Sequence, residues 1–289
     1  MSITKSILGV KKEFADNDAL VKYVKDNLTQ IIDAKKVEQF SYNKGLAVSC
    51  KSLNGSKMLV AEKAIEVDDD YWYIAVNTTN ILDSHDDLHV NGIWNTTVKD
   101  QQGKNYLVDT HSITIDTTIV KKEHIEMFVA TVPFEALGYS YKGDTQVLVY
   151  KFRKDQVIHD KARYWLESGD EIQASVRMRY VTIEFALDSN APEDEVFKKR
   201  YVEYLGKIAN RQDFDYIPYF FIVKEAINQR ESSLVPFGSN HVTGNIINTN
   251  VTYENEFKVT PSSETGDDKD KNRPASEQSK KLTKKSLLI

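Results

Sequence analysis

The sequence predicts an α+β fold: a mainly antiparallel β-sheet or barrel core, a few packed helices and a disordered C-terminal tail. Three observations carry this. From about residue 58 to 153, successive segments alternate apolar with polar residues and are separated by turn signals such as KDQQGKN and YKGDT, the pattern of half-buried antiparallel strands. Only three stretches show helical spacing. The end of the chain, SSETGDDKDKNRPASEQSKKLTKKSLLI, is rich in Ser, Asp and Lys and has no aromatic residue, so it cannot offset its own ordering entropy.

The elements follow in order. DNDALVKYVKDNLTQIIDAKKVE, residues 16 to 38, places Leu20, Val21, Val24, Leu28, Ile31 and Ile32 on one helical face behind an Asp16–Asn17–Asp18 cap. GLAVSC reads as a short strand after it. KMLVAEKAIEV, DYWYIAVNTTNIL, Tyr106 to Val108, HIEMFVATVPF and TQVLVYKFR then supply the sheet. A second helix is expected from about Asp155 to Glu167, stopped by Gly169. EIQASVRMRYVTIEFAL reads as a long strand from Val176 to Leu187 with Ser175 at its mouth. A third helix is expected after Pro192, whose first turn is acidic as the helix dipole favours. The implied domains are an N-terminal helical segment with a short strand (1–55), a β-rich domain (56–253) and a disordered tail (254–289).

Composition excludes several classes. A formal net charge of -5 over 289 residues gives no default draw to nucleic acid or anionic membrane. The single Cys50 forbids an internal disulfide framework, fits a reducing compartment and sits in a strand-like run unsuited to a nucleophile. MSITKSILGVKKEF lacks the long apolar core of a signal peptide, and no stretch reaches the ~20 apolar residues of a membrane span. A soluble intracellular protein is expected.

Six histidines are the candidates for acid–base chemistry. His124 alternates with apolar residues and is expected to point outward from a strand. His159 falls in the second helix, and His241 in a loop. His85 and His89, in LDSHDDLHVNG, lie beside Asp83, Asp86 and Asp87. Their four-residue spacing would suit a metal on a helix, but the nearby Asn-Gly makes this a loop. His111 ends the short apolar strand YLVDTH, where a fixed backbone can aim a neutral imidazole into a cleft to take a hydroxyl proton. Ser175 carries no nucleophile-elbow signature. Glu231, in KEAINQRESSLVPFGSN, reads by itself as an exposed carboxylate on a strand. A Ser–His–acid site is permitted by these residues and not selected by them, because triads are recognised by geometry and not by chain order.

Taken together, four segments resemble the prohead (capsid maturation) proteases of tailed bacteriophages, whose fold is akin to that of the herpesvirus capsid assembly proteases. The likeness runs over residues 70 to 245. It comprises LDSHDDLHVNGIW, then YLVDTH, then a helix leading to WLESGDEIQASVRMRY, then ESSLVPFGSN with its E-x-S-x-V pattern. The resemblance implies that Ser175 is the nucleophile, His111 the general base and Glu231 the residue that orients the histidine. Two departures stand out. Arg177 occupies a position where many members have glycine, and Ala174 one where histidine is frequent. Glu225 and Glu184 compete with Glu231 for the third role.

The function implied is a serine endopeptidase of capsid maturation that cuts scaffolding-protein and major-capsid-protein segments, and itself, during prohead assembly in the host cytoplasm. No cofactor, metal, nucleic acid or membrane enters this reading. Relatives of the fold often dimerise, so a homodimer is one expected state. The tail suits a tether or self-cleavage region, and the N-terminal helix either a removable propeptide or a structural cap. The contrasting reading is a structural or scaffolding relative that has kept the fold and lost activity, with Arg177 as its symptom. A third is a metal-dependent hydrolase built on His85, His89 and the adjacent aspartates.

Overall fold

The computed structural model describes residues 2–7, 10–37, 58–60, 63–65, 68–169, 172–236 and 244–245. Cys50, the expected strand GLAVSC, His241 and the tail fall outside the described residues.

The chain begins with an antiparallel hairpin, β1 (Ile3–Ile7) and β2 (Val10–Phe14), where the sequence suggested only a helical segment. Its strands are five residues each, too short for alternation to announce them. The helix expected over residues 16 to 38 is two: α1 (Asn17–Asp26) and α2 (Leu28–Lys36). Asp16 caps α1 by accepting from the Ala19 amide at 2.9 Å. Asn27 ends it, leaving helical geometry at φ -113° and ψ 14° while its side-chain amide donates to the Tyr23 carbonyl. The helix stops because an Asn side chain offers the backbone a local alternative to the next turn.

Two sheets make up the body. The first runs in the order β13 (Gly244–Asn245), β5 (Tyr71–Thr78), β10 (Asp144–Arg153), β9 (Glu126–Pro133), β3 (Met58–Val60) and β4 (Lys63–Ile65), every pair antiparallel. The second runs β11 (Gln173–Leu187), β12 (Tyr219–Val235), β7 (Tyr106–Asp109) and β8 (Thr118–Val120). A further strand, β6 (Asp87–His89), joins β12 beyond the end of β7. Both β6 and β7 pair with β12 in parallel, and the other pairs of this sheet are antiparallel. The α+β class holds. Apart from the N-terminal hairpin, the described strands form two packed sheets and do not close into a barrel.

Alternation explains the packing. Ala174, Val176, Met178 and Tyr180 of β11 lie on one face and bury against Ile74, Val76, Leu148 and Tyr150 of the other sheet. Short helices fill the connections: α3 (Asn95–Asp100), α4 (Asp160–Ser168) and α5 (Glu195–Leu205). The second expected helix starts five residues late, because His159 serves as its N-cap and accepts from the Ala162 amide. His124 is exposed as expected, but in a 3₁₀ turn before β9. No described helix is long and apolar enough to cross a membrane.

The N-terminal segment shares the main core. Leu20, Val24 and Ile31 are 1–2 % exposed and pack in the same apolar cluster as Val176 and Phe185. Three lysines fasten it: Lys5 to Asp86 at 2.5 Å, Lys25 to Asp194 at 2.7 Å and Lys35 to Asp87 at 2.5 Å. Lys35 and Asp87 are both nearly buried, so each depends on the other for compensation. Lys35→Ala strands a buried carboxylate and is expected to lower unfolding free energy by about 3 kcal/mol in urea titration. Lys22→Ala, which removes the exposed pair with Asp26, should cost about 0.5 kcal/mol or less. Equal losses for the two variants would show that the Lys35 bridge does not anchor the segment.

Candidate active site

Ser175, His111 and Glu231 meet. The Ser175 hydroxyl donates to His111 Nε2 at 2.8 Å, and His111 Nδ1–H donates to Glu231 Oε1 at 2.7 Å. The tautomer is fixed by its partners, since an ionised carboxylate can only accept. The competing acids are engaged elsewhere. Glu225 accepts from Thr96 and Thr182, and Glu184 pairs with Arg200 and Lys224.

Sheet register produces this meeting. Ser175 stands directly opposite Ser233 in the antiparallel pair of β11 and β12, so the two side chains share a face. That face is the one opposite Ala174, Val176 and the apolar core. Ser175 is therefore the third residue inside its strand, not at its mouth. Just beyond, the ladder breaks. Val176 pairs with Ser232 and Met178 with Asn228, so Gln229, Arg230 and Glu231 stand opposite Arg177 alone. Arg230 takes φ +71° to make this bulge. Glu231, two residues before Ser233, shares the Ser175 face by the strand's own alternation, and the bulge takes up the two residues that precede it, Gln229 and Arg230.

His111 arrives from the neighbouring strand. β7 runs parallel to β12, with Glu231 opposite Tyr106 and Leu234 opposite Asp109. The chain then turns at once: Ser112 N–H donates to the Asp109 carbonyl at 3.0 Å, and the two central residues, Thr110 and His111, have φ +46° and +59°. Tight turns with two left-handed centres favour Asn-Gly, and a β-branched threonine there is strained by about 1–3 kcal/mol. The strain turns the imidazole back over β12 instead of letting it continue along the strand.

The site is enclosed. Ser175 is 2 % exposed, the His111 side chain 3 % and Glu231 fully buried. Burial removes competing water and strengthens each of these bonds.

One further residue touches the constellation and was missed in the sequence. Ser233 Oγ donates to Glu231 Oε2 at 2.8 Å and accepts the His111 backbone N–H at 2.8 Å. Its signal was present, as the serine of the E-x-S-x-V pattern, two residues from Glu231 and hence on its face of the strand.

The second histidine cluster forms a different network. Asp87–His89 is a strand and not the expected loop, because parallel pairing with Phe221–Val223 of β12 overrides the local turn signals. His89 Nε2 bonds Tyr180 Oη at 2.9 Å and its Nδ1 faces the Asn77 amide. Tyr180 donates to Asp87, which also holds Lys35. Trp94 Nε1 donates to Asn77 at 3.0 Å. His85, Asp86 and Asp83 therefore border a buried polar joint between β6, β11 and α2. Among the described residues no group of three or more His, Cys, Asp or Glu has a metal-holding arrangement.

No protein-family model matches the chain, and neither a curated protein nor a solved structure matches it at a significant level.

The buried joint makes stability depend on pH. Burial, reinforced by the charge of Asp87, raises Asp83 to about 8, and both donors to it, the amides of His85 and Asp87, reach a single oxygen, Oδ1. Burial also lowers His89 to about 4. A raised acid binds its proton in the folded state while the unfolded chain has lost it, so its contribution falls as pH rises toward 8. A depressed histidine works in the opposite sense between pH 4 and 6.5, where the unfolded chain binds the extra proton. The two slopes oppose each other up to pH 6.5, and Asp83 acts alone above it. Asp83→Asn keeps the Oδ1 acceptor and removes the titration. Relative to wild type it should gain about 2 kcal/mol between pH 6.5 and 8 in urea unfolding. A constant difference across that window would place the proton elsewhere.

Proposed function

We propose that this chain is a serine endopeptidase with Ser175 as nucleophile, His111 as general base and Glu231 as the acid that orients and charge-stabilises the histidine. The observation that carries it is the continuous hydrogen-bonded line Ser175–His111–Glu231, with lengths of 2.8 and 2.7 Å. An alcohol is unreactive toward amides unless a base removes its proton as the bond to carbon forms. His111 Nε2 takes that proton while Ser175 Oγ adds to the peptide carbonyl. The resulting imidazolium faces the Glu231 carboxylate, and it returns the proton to the departing amine. Water then repeats the sequence on the acyl-enzyme. Arg177, half-buried and opposite the bulge, stands two residues beyond the nucleophile on the same face of β11.

The resemblance of the four sequence segments to prohead proteases supports capsid maturation as the setting of this chemistry. The substrates are then scaffolding and major capsid proteins and the chain itself, cut inside the assembling procapsid. The near-complete burial of the Ser175 hydroxyl favours a second reading, a relative that retains the constellation without turnover.

One experiment separates the two. Purified protein is treated with a fluorophosphonate probe, and co-expression with the cognate capsid protein is followed by mass spectrometry of the products. Labelling confined to Ser175 and cleavage lost in Ser175→Ala are expected. His111→Ala and Glu231→Gln should slow labelling by about 10³-fold or more. Labelling of wild type no faster than of the His111→Ala variant would overturn the peptidase reading in favour of the inactive one.

A further inference from the structure

We propose that Ser233 is a positioning residue of this site, holding Glu231 and the His111 backbone in one closed ring of hydrogen bonds. For its kinetic arm the proposal rests on the peptidase reading above.

The ring runs from His111 Nδ1 to Glu231 Oε1, from Glu231 Oε2 to Ser233 Oγ, and from Ser233 Oγ back to the main-chain N–H of His111. A single hydroxyl has one proton to give and two lone pairs. Here the proton goes to the carboxylate, which can only accept, so the amide of His111 must be the donor to the lone pair. The direction of every bond in the ring is thereby fixed.

Two needs are met by this one group. Glu231 is fully buried, and its Oε2 would otherwise carry negative charge without the Ser233 donor. A carboxylate held at one oxygen only can rotate about its last side-chain torsion, a soft coordinate, and swing the other oxygen off Nδ1. Binding both oxygens stops that rotation. The second need is at the strained turn. His111 has φ +59°, and its N–H is turned out of the β7 ladder. Capturing that N–H compensates the strain and sets the origin of the imidazole relative to Ser175.

Ser232 provides the internal comparison. It is equally buried and lies next in the chain, but it faces the core, where it accepts from Asn228 at 3.1 Å. Packing loss on removing either hydroxyl is similar, whereas only Ser233 touches the ring.

The test uses the full chain in two readouts. The first is the low-field proton resonance of His111 Nδ1–H, assigned by its loss in His111→Ala. It should persist in Ser175→Ala and in Ser232→Ala, and broaden away or move upfield in Ser233→Ala. The second is the rate of fluorophosphonate labelling against probe concentration. Ser233→Ala should lower the saturating rate about 10–100-fold and leave the half-saturating concentration within about threefold, while Ser232→Ala changes neither by more than about threefold. An unchanged resonance and rate in Ser233→Ala would overturn the proposal, as would equal impairment by the two serine variants or absence of the resonance in wild type. A resonance that responds as described in a protein that never labels would sink the peptidase reading and leave the ring standing.

Discussion

Pairing of β11 with β12 is the constraint on which the site depends, and of its three irregularities the one opposite Arg177 lies beside the site. Before that point the ladder sets Ser175 against Ser233 on the face turned away from the core. Alternation puts Glu231, two residues before Ser233, on that same face, and a one-residue slip would send it to the core side. Parallel pairing of Glu231 with Tyr106 brings β7, the strand that leads to His111, alongside. The irregularity falls on Gln229 and Arg230, so regular pairing holds the members of the site.

That arrangement is costly in isolation and is stabilised collectively. Glu231 is a fully buried carboxylate, Thr110 and His111 are non-glycine residues in the left-handed region, and Arg230 is a third. Each costs of order 1–3 kcal/mol if left alone. The turn after β7 is flanked by strands paired on both sides, and the carboxylate accepts from two partners. Strain of this kind persists only where the surroundings over-determine it. Here the parallel pair of β7 with β12 does so, and that pair in turn sits over a core completed by the N-terminal helices.

The sequence made some of this legible and hid the rest for identifiable reasons. Long alternating strands such as β9 and β10 announced themselves, and so did the three candidate residues, each at a strand end or in a strand whose motif resembled a known family. Geometry then chose Glu231 over Glu225 and Glu184, which no spacing could do, because the choice turns on where β7, the strand that leads to His111, pairs along β12. Short elements were hidden. β6, with three residues, was read as a loop, since only its parallel partner in β12 makes it a strand. The break at Asn27 and the capping role of His159 are likewise local hydrogen bonds that interrupt an unbroken helical pattern.

The contrast between His89 and His111 is what the proposed function draws on. Both rings are buried, and both present Nε2 to a hydroxyl, Tyr180 in one case and Ser175 in the other, at 2.9 and 2.8 Å. The difference lies behind the ring. His89 Nδ1 meets Asn77, a neutral amide that cannot compensate an imidazolium, and burial accordingly drives the group down to about 4. It stays neutral and serves as a spacer between strands. His111 Nδ1 meets a carboxylate held at its second oxygen by Ser233. A charge that appears on that ring is balanced where it forms, which is the requirement for a base that must accept a proton and release it again. The hydroxyl in front also differs: Tyr180 donates its proton to Asp87, whereas the Ser175 proton points at the imidazole. Two histidines with nearly the same contacts thus face one neutral amide and one carboxylate, and it is the acid, more than the histidine or the serine, on which the proposed catalytic reading of His111 rests.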